Sequence, residues 1–183
     1  MSHKNALTIN SNGILRVLIS EVGISLPFSG KIEEQKNLQI KNYKGIWDTG
    51  ATGSVITKKV ADELGLIPTG QKEVHTATKS ELKNTYLVNI YLPMKVVFQG
   101  IEVTEGVLYG DIEMLIGMDI ITSGDFVITH SQGKTKMSFG LPPIHSYDYV
   151  EKINEGNRLI EKKHICDCGS GKRYIYCHGK NKK

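Results

Sequence analysis

The stretch Trp47-Asp48-Thr49-Gly50-Ala51-Thr52-Gly53-Ser54 places one carboxylate between a hydrophobic segment and a Gly-rich turn. The residues that lead into it, Leu38-Gln39-Ile40 and then Gly45-Ile46-Trp47, predict a strand, and residues 41–45 predict a turn before its last part. Residues 54–57, which follow it, lead into a segment with helical spacing. The sequence therefore predicts that Asp48 lies at the end of a strand, where the chain turns sharply.

The composition of this turn indicates that the carboxylate is held in place. Gly50 and Gly53 permit backbone angles that a side chain would oppose. Thr49 and Ser54 carry hydroxyls that can hydrogen-bond to the turn or to the acid. Trp47 is a large residue to place just before such a turn, and it makes the packing of this strand an open question.

Two elements resemble a known family. Asp48-Thr49-Gly50-Ala51 matches the Asp-Thr-Gly-Ala signature of the retropepsins, the retrovirus-type aspartic proteases. Met114-Leu115-Ile116-Gly117 resembles the hydrophobic-hydrophobic-Gly element that packs beside the catalytic loop in that family. Residues 118–121 resemble the short helix of the cellular members, and the whole resemblance covers residues 13–143. A given four-letter string arises by chance about once in ~10^5 positions, so two elements in the right order strengthen the match.

The resemblance implies a mainly β fold, a retropepsin-like closed β-barrel or sandwich with one or two short helices. It implies that Asp48 is catalytic, that Thr49 braces two catalytic loops, and that Gly50 orients substrate or water. It also implies substrate-binding positions at Ala51 and at the tip of a hairpin that the family uses as a mobile lid. Those positions are Ala51, Thr76, Ala77 and Thr78. The alternative for the hairpin is an ordinary surface loop.

The implied reaction is hydrolysis of a protein or peptide substrate by a water that two carboxylates activate. The chain has one Asp-Thr-Gly, and Thr69-Gly70 and Ser123-Gly124 carry no Asp before them. We therefore expect a homodimer with Asp48 of both subunits at a two-fold axis. Residues 14–19 and 125–139 are the candidate interface segments. No cofactor is expected for catalysis, and a catalytically inactive dimer that serves as a binding scaffold is the alternative function.

Further local patterns complete the predicted body, residues 1–145. Residues 1–12 are polar and are predicted to fray, whereas residues 14–19 predict a strand. Thr57 and Gly65 have the residue types expected at the two ends of a short helix. Asp119 follows Gly117 and is predicted to cap the next turn.

The composition excludes several classes of protein. The chain has 183 residues, of which 39% are hydrophobic and 23% are charged, and no apolar run reaches membrane-spanning length. The first residues lack the apolar core of a signal peptide, which predicts a cytoplasmic location. The net charge of +4 is concentrated from residue 161 onward, which leaves a nearly neutral body. The body is therefore not expected to bind nucleic acid.

The last part of the chain has a different character. Residues 146–163 predict an amphipathic helix that links the body to a tail, residues 164–183. The tail closely resembles the SEC-C motif, known from the C-terminus of the bacterial protein-translocation ATPase and from many unrelated proteins. The resemblance implies a structural zinc ion and a partner protein. The implied ligands are Cys166, Cys168, Cys177 and His178. A disordered basic tail with three free thiols is the alternative.

Overall fold

The computed structural model describes residues 2–28, 30, 38–75 and 80–181. The chain forms two compact units, Met1–Ile144 and His145–Lys183. Within the described residues, no helix combines the length and the apolar character needed to span a membrane.

The described part of the first unit consists of strands with two short helices between them. The elements, in chain order, are β1 (Asn5–Asn10), β2 (Ile19–Ser25), β3 (Lys41–Trp47), β4 (Val55–Thr57), α1 (Lys58–Leu64), β5 (Gly70–His75), β6 (Ser80–Leu92), β7 (Val96–Gly106), β8 (Ile112–Ile116), α2 (Met118–Ile121), β9 (Asp125–Thr129) and β10 (Lys136–Leu141).

Six of these strands close into a barrel. The sheet order is β2-β3-β8-β4-β7-β6-β5, and β2 also pairs with β6. The β3–β8 and β4–β7 pairs are parallel, and the remaining pairs of this sheet are antiparallel. Strand β5 lies outside the closed ring and, among the described residues, pairs with β6 alone. The predicted mainly β, barrel-like fold is confirmed.

Aliphatic side chains fill the barrel, and this burial is the main stabilising contribution to the unit. The fully buried ones include Ile24, Ile56, Ile90, Met114, Ile116, Ile120, Val22, Val60, Val88 and Val103. Helix α1 buries one face against this core and ends at Gly65, whose φ of 63° is left-handed as predicted. Thr57 stands at the N-cap position, but its hydroxyl donates to Glu113 and caps no backbone N–H.

The prediction for the first residues was wrong. Asn5–Asn10 is a strand that pairs antiparallel with β10, and Asn5 lies opposite Leu141. The predicted strand at residues 14–19 does not form. The strand in this region is β2, which begins at Ile19. An edge strand has one partner and one exposed side, so it can be rich in polar residues. Together β1, β10 and β9 form a second, three-stranded sheet.

Strand β7 contains an irregularity at Gln99-Gly100 and continues through it. Gly100 adopts φ 63°, and its N–H donates to the buried Asn89 side-chain oxygen at 2.8 Å. The register of β6 shifts at this point, between Val88 and Ile90. The glycine therefore marks a β-bulge and not a turn.

The second unit contains the predicted helix, α3 (Tyr149–Lys163). Asp148 caps its N-terminus, since its Oδ1 accepts hydrogen bonds from the N–H groups of Val150 at 2.8 Å and Glu151 at 3.0 Å. After the helix, two short 3-10 turns cover Tyr174–Tyr176 and His178–Asn181.

Candidate functional site

An aromatic cluster fixes the end of β3 next to Asp48. Trp47 is only 6% exposed, and its ring lies 5.5 Å from that of Phe126 and 5.1 Å from that of Phe139. Its indole N–H donates to Ser20 Oγ at 3.0 Å. The ring packs against two aromatic rings and the N–H has a hydrogen-bond acceptor, so Trp47 stabilises the strand that leads to Asp48.

The Asp48 side chain is half-buried and oriented by its own turn. The Asp48 N–H donates to the Ile116 carbonyl of β8 at 3.0 Å. Asp48 Oδ1 accepts the Gly50 N–H at 2.8 Å. A Cβ atom added to Gly50 would lie 3.2 Å from the same oxygen, so a side chain there would crowd the carboxylate. In the described part of the chain Oδ2 has no hydrogen-bond donor, and it is the oxygen available for chemistry.

Gly117 lets the second sequence element approach this turn closely. A Cβ atom at Gly117 would lie 2.6 Å from the carbonyl carbon and oxygen of Gly53, a distance that side chains do not tolerate. The following N–H, of Met118, donates to the Ala51 carbonyl at 2.8 Å. The apolar-apolar-Gly pattern therefore has a direct physical role, which is to pack β8 and α2 against the Asp48 turn.

A side-chain link adds to these backbone contacts. Ser54 is 1% exposed, and its N–H and hydroxyl donate to Asp119 Oδ2 at 2.9 Å and Oδ1 at 2.8 Å. The Ser54 hydroxyl in turn accepts the Gly117 N–H at 3.1 Å. Asp119 Oδ1 also accepts the N–H of Ile120 at 3.0 Å, but Asp119 lies in the first turn of α2 and Gly117 stands at the N-cap, so the predicted cap does not form. Its bond to Ser54 was missed because the two residues are 65 positions apart in the chain.

The remaining predicted site residues have different outcomes. Thr49 and Gly50 are exposed and Ala51 is half-exposed, and all three lie in the turn that holds Asp48. The Thr49 hydroxyl makes no hydrogen bond within the residues that the structure describes. Thr76, Ala77 and Thr78 lie outside the described residues, between β5 and β6. The catalytic and substrate-binding roles of these residues stay predictions.

The four residues of the predicted metal site come together in the tail. The Sγ atoms of the cysteines and a ring nitrogen of the histidine lie within 4.8 Å of one another. Cys166 Sγ is 3.2 Å from His178 Nδ1, and Cys168 Sγ is 3.4 Å from Cys177 Sγ. Tetrahedral coordination of zinc would place such donor atoms about 3.5–3.8 Å apart, so the cluster has the right size and chemistry for a metal ion.

The backbone explains how two distant pairs of ligands meet. Ile165 and Arg173 form a β-bridge, and the Cys166 N–H donates to the Lys172 carbonyl at 2.8 Å. Between them, Gly169 at φ 79° and Gly171 at φ 68° take the left-handed conformation that reverses the chain. This reversal is the reason for glycine on both sides of Ser170.

Local hydrogen bonds also shift the pKa values of the three cysteine thiols. A backbone hydrogen bond at Cys168 lowers the pKa of the Cys166 thiol, and the Ser170 hydroxyl lowers that of Cys168. The Ser170 hydroxyl also lowers the pKa of the Cys177 thiol. The hydrogen bond between Cys177 and Cys168, together with the burial of Cys177, outweighs this effect and raises the Cys177 pKa. Metals bind thiolates, so the lowered pKa values favour coordination.

One family model matches part of the chain. The family model described as "gag-polyprotein putative aspartyl protease" matches residues 37–123, which include the Asp48 turn and the Gly117 element. Over this segment the chain is similar to retropepsin-like aspartic proteases.

Two solved structures are similar to the chain. A retropepsin-like aspartic protease from Rickettsia conorii is 17% identical, with a TM-score of 0.39, over 69% of this chain and 97% of that chain. The retroviral protease-like domain of Ddi1 from Leishmania major is 16% identical, with a TM-score of 0.34, over 61% and 82%. No curated protein sequence matches the chain significantly.

Proposed function

We propose that the protein is an aspartic endopeptidase whose active site contains Asp48 from each of two chains. The observation that carries the proposal is the oriented carboxylate, with Asp48 Oδ1 bound to the Gly50 N–H at 2.8 Å and Oδ2 open to a substrate. The Asp-Thr-Gly sequence at this point and the match to the aspartyl protease family over residues 37–123 support it.

The reaction follows from the pairing of two carboxyl groups. Two carboxylates about 3 Å apart at an effective dielectric of about 20 repel by about 5–6 kcal/mol, so the pair retains one proton. The ionised member takes a proton from water, and the protonated member polarises the carbonyl of the peptide bond. The chemistry needs no metal and favours mildly acidic pH, where the pair holds its single proton.

The proposal includes a homodimer, since one chain supplies one suitable aspartate. Both predicted interface segments expose large apolar side chains, with Ile14 56%, Val17 46% and Ile128 40% exposed. Strands β1 and β9 form the edges of the three-stranded sheet and can be covered by a second copy. A two-fold dimer buries the same surface on both subunits and brings the two Asp48 side chains to its axis.

The proposal also assigns a role to the tail. The Cys3His cluster would hold a zinc ion, with Cys166, Cys168, Cys177 and His178 as ligands. Because four protein ligands leave no open position, the ion would be structural and would present the tail to a partner protein or a substrate. Free thiols in a closed ligand set suit a reducing compartment, which supports a cytoplasmic location.

A mixed peptide library tests activity and specificity together. The wild-type protein should cleave a subset of peptides at mildly acidic pH, and Asp48→Asn should cleave none. Asp62→Asn, at an exposed acid that pairs with Lys58 on α1, is the matched control and should retain activity. Light scattering on the same samples should give the mass of a dimer. A folded dimer that binds peptides without cleaving any would favour the scaffold function instead.

A further inference from the structure

Three contacts hold the Asp48 turn against β8 and α2. At its start the Asp48 N–H donates to the Ile116 carbonyl, and in its middle the Ala51 carbonyl accepts the Met118 N–H. Both contacts join backbone atoms, so they do not depend on the identity of the side chains. The third contact, at the end of the turn, is the Ser54–Asp119 link. Both of its hydrogen bonds need the Asp119 carboxylate, and one of them also needs the Ser54 hydroxyl.

The Ser54 hydroxyl is fully used in this link. It donates to Asp119 Oδ1 at 2.8 Å and accepts the Gly117 N–H at 3.1 Å, and the residue is 1% exposed. A buried hydroxyl with both roles filled has one orientation. It therefore transmits the position of Asp119 to Gly117, the residue that packs directly on the turn.

The link needs a carboxylate and not an amide. Asp119 Oδ2 accepts the Ser54 N–H, and Oδ1 accepts both the Ser54 hydroxyl and the Ile120 N–H. Asparagine has one acceptor oxygen, and its NH2 group would face an N–H donor. Asp119→Asn therefore changes the hydrogen bonding of the turn with almost no change in volume.

We infer that Asp119 is a positioning residue for catalysis, which acts through Ser54 to fix the Asp48 turn relative to β8. The inference rests on the proposed function. It assigns to Asp119 no contact with substrate, because its carboxylate oxygens are occupied by Ser54 and Ile120. Errors of about 1 Å in the placement of reacting groups cost about 10²-fold in rate, so the link is expected to affect turnover more than substrate binding.

The test compares five proteins on one peptide chosen from the library: wild type, Asp119→Asn, Asp119→Glu, Ser54→Ala and the Asp119→Asn/Ser54→Ala double variant. Active sites are counted by titration with the same peptide carrying a secondary alcohol in place of the scissile bond. The rate constant kcat is then expressed per titrated site, so that a loss of folded protein does not lower it. Asp62→Asn is the control.

We expect kcat to fall about 10- to 100-fold in Asp119→Asn and in Ser54→Ala, with KM changed less than about threefold. The double variant should lose no more rate than the more damaging single variant, because the Ser54 hydroxyl acts through Asp119. Asp119→Glu keeps two acceptor oxygens and should recover part of the rate. A residue that acts only on stability would lower the number of titrated sites and leave kcat unchanged.

Two results would overturn the inference while leaving the proposed function intact. The first is an Asp119→Asn protein with wild-type kcat per site. The second, decisive if Asp119→Asn yields no titratable sites, is a Ser54→Ala protein with wild-type kcat. A wild-type protein that cleaves no peptide would instead refute the proposed function, and the positioning role would fall with it.

Discussion

The barrel and the tail differ in what stabilises each of them. The barrel has an aliphatic core that includes Ile24, Ile90 and Met114, all fully buried. In the second unit, which includes the tail, Cys166 is the one buried residue among the described side chains of residues 145–181. A unit with so little apolar burial needs another source of folding free energy, and the Cys3His cluster could supply it by holding a metal ion, as proposed above. Each part is therefore expected to fail under conditions that leave the other intact.

The largest effect is expected at Asp48. Asp48→Asn should reduce peptide hydrolysis by at least about 10³-fold, because the pair loses its ionisable base. Metal content and thermal unfolding should stay at their wild-type values, as measured by elemental analysis and calorimetry. Residual hydrolysis at the wild-type rate would assign the activity to another group.

Removal of the metal should affect only the tail. We expect about one zinc per chain, lost in Cys168→Ser and in protein dialysed against a chelator. The tail should then unfold, since zinc supplies about 10–16 kcal/mol to small modules of this kind. Peptide hydrolysis should stay within about twofold of wild type.

Fluorescence distinguishes the two parts in the same sample. The chain has one tryptophan, Trp47, and it is buried in the barrel. Its emission should be unchanged after chelation, while the amide signals of residues 164–181 collapse in an NMR spectrum. A shift of Trp47 emission on metal removal would contradict the independence of the two parts.

Gly117→Ala should damage the barrel and leave the tail intact. The added methyl group would lie 2.6 Å from the Gly53 backbone, and overpacking of this kind costs about 1–3 kcal/mol. We expect the melting temperature of the barrel, followed by Trp47 fluorescence, to fall by about 3–12 °C. Gly53→Ala is the matched control, because a Cβ atom there meets nothing within 4 Å. Equal melting temperatures for the two variants would show that the close approach carries no cost.

The smallest effect concerns pH and the barrel alone. Burial raises the pKa of Glu113, but hydrogen bonds from Lys59 and Thr57 outweigh it and leave the pKa lowered. A lowered folded-state pKa stabilises the barrel at pH values above the unfolded-state pKa of about 4.3, and this contribution is lost as pH falls toward the folded-state pKa.

Glu113→Gln lacks this contribution. Its melting temperature should therefore be below wild type at pH 6, and the difference should narrow as pH falls below about 4.3. Trp47 fluorescence measures the barrel without interference from the tail, whose cysteines are protonated in acid. A difference that stays constant with pH would contradict the assignment to Glu113.

The sequence predicted those features that arise from neighbouring residues. The turn at Asp48, the helix that ends at Gly65, and α3 each follow from a pattern within about fifteen residues. The resemblance of the tail to the SEC-C motif likewise implied the four residues of its cluster, and the glycines between them make the chain reversal local.

Features that join distant segments were missed. Strand β1 carries few apolar residues, and its partner β10 lies more than a hundred residues away. The bulge at Gly100 resembles a turn in sequence, since glycine with positive φ occurs in both. No sequence pattern predicts the link between Ser54 and Asp119, which are 65 residues apart. The packing of Gly117 against Gly53 brings the two side chains together.

The pairing of β1 with β10 has a consequence for the order in which segments can follow one another along the chain. Asn5 lies opposite Leu141, and the Lys4 N–H donates to the Leu141 carbonyl at 2.8 Å, so the first and last strands of the first unit are adjacent. Paired strands are about 4.7–4.9 Å apart, a gap that a linker of a few residues can bridge. The barrel is therefore suited to circular permutation, with residue 144 joined to residue 3 and new termini placed in another loop.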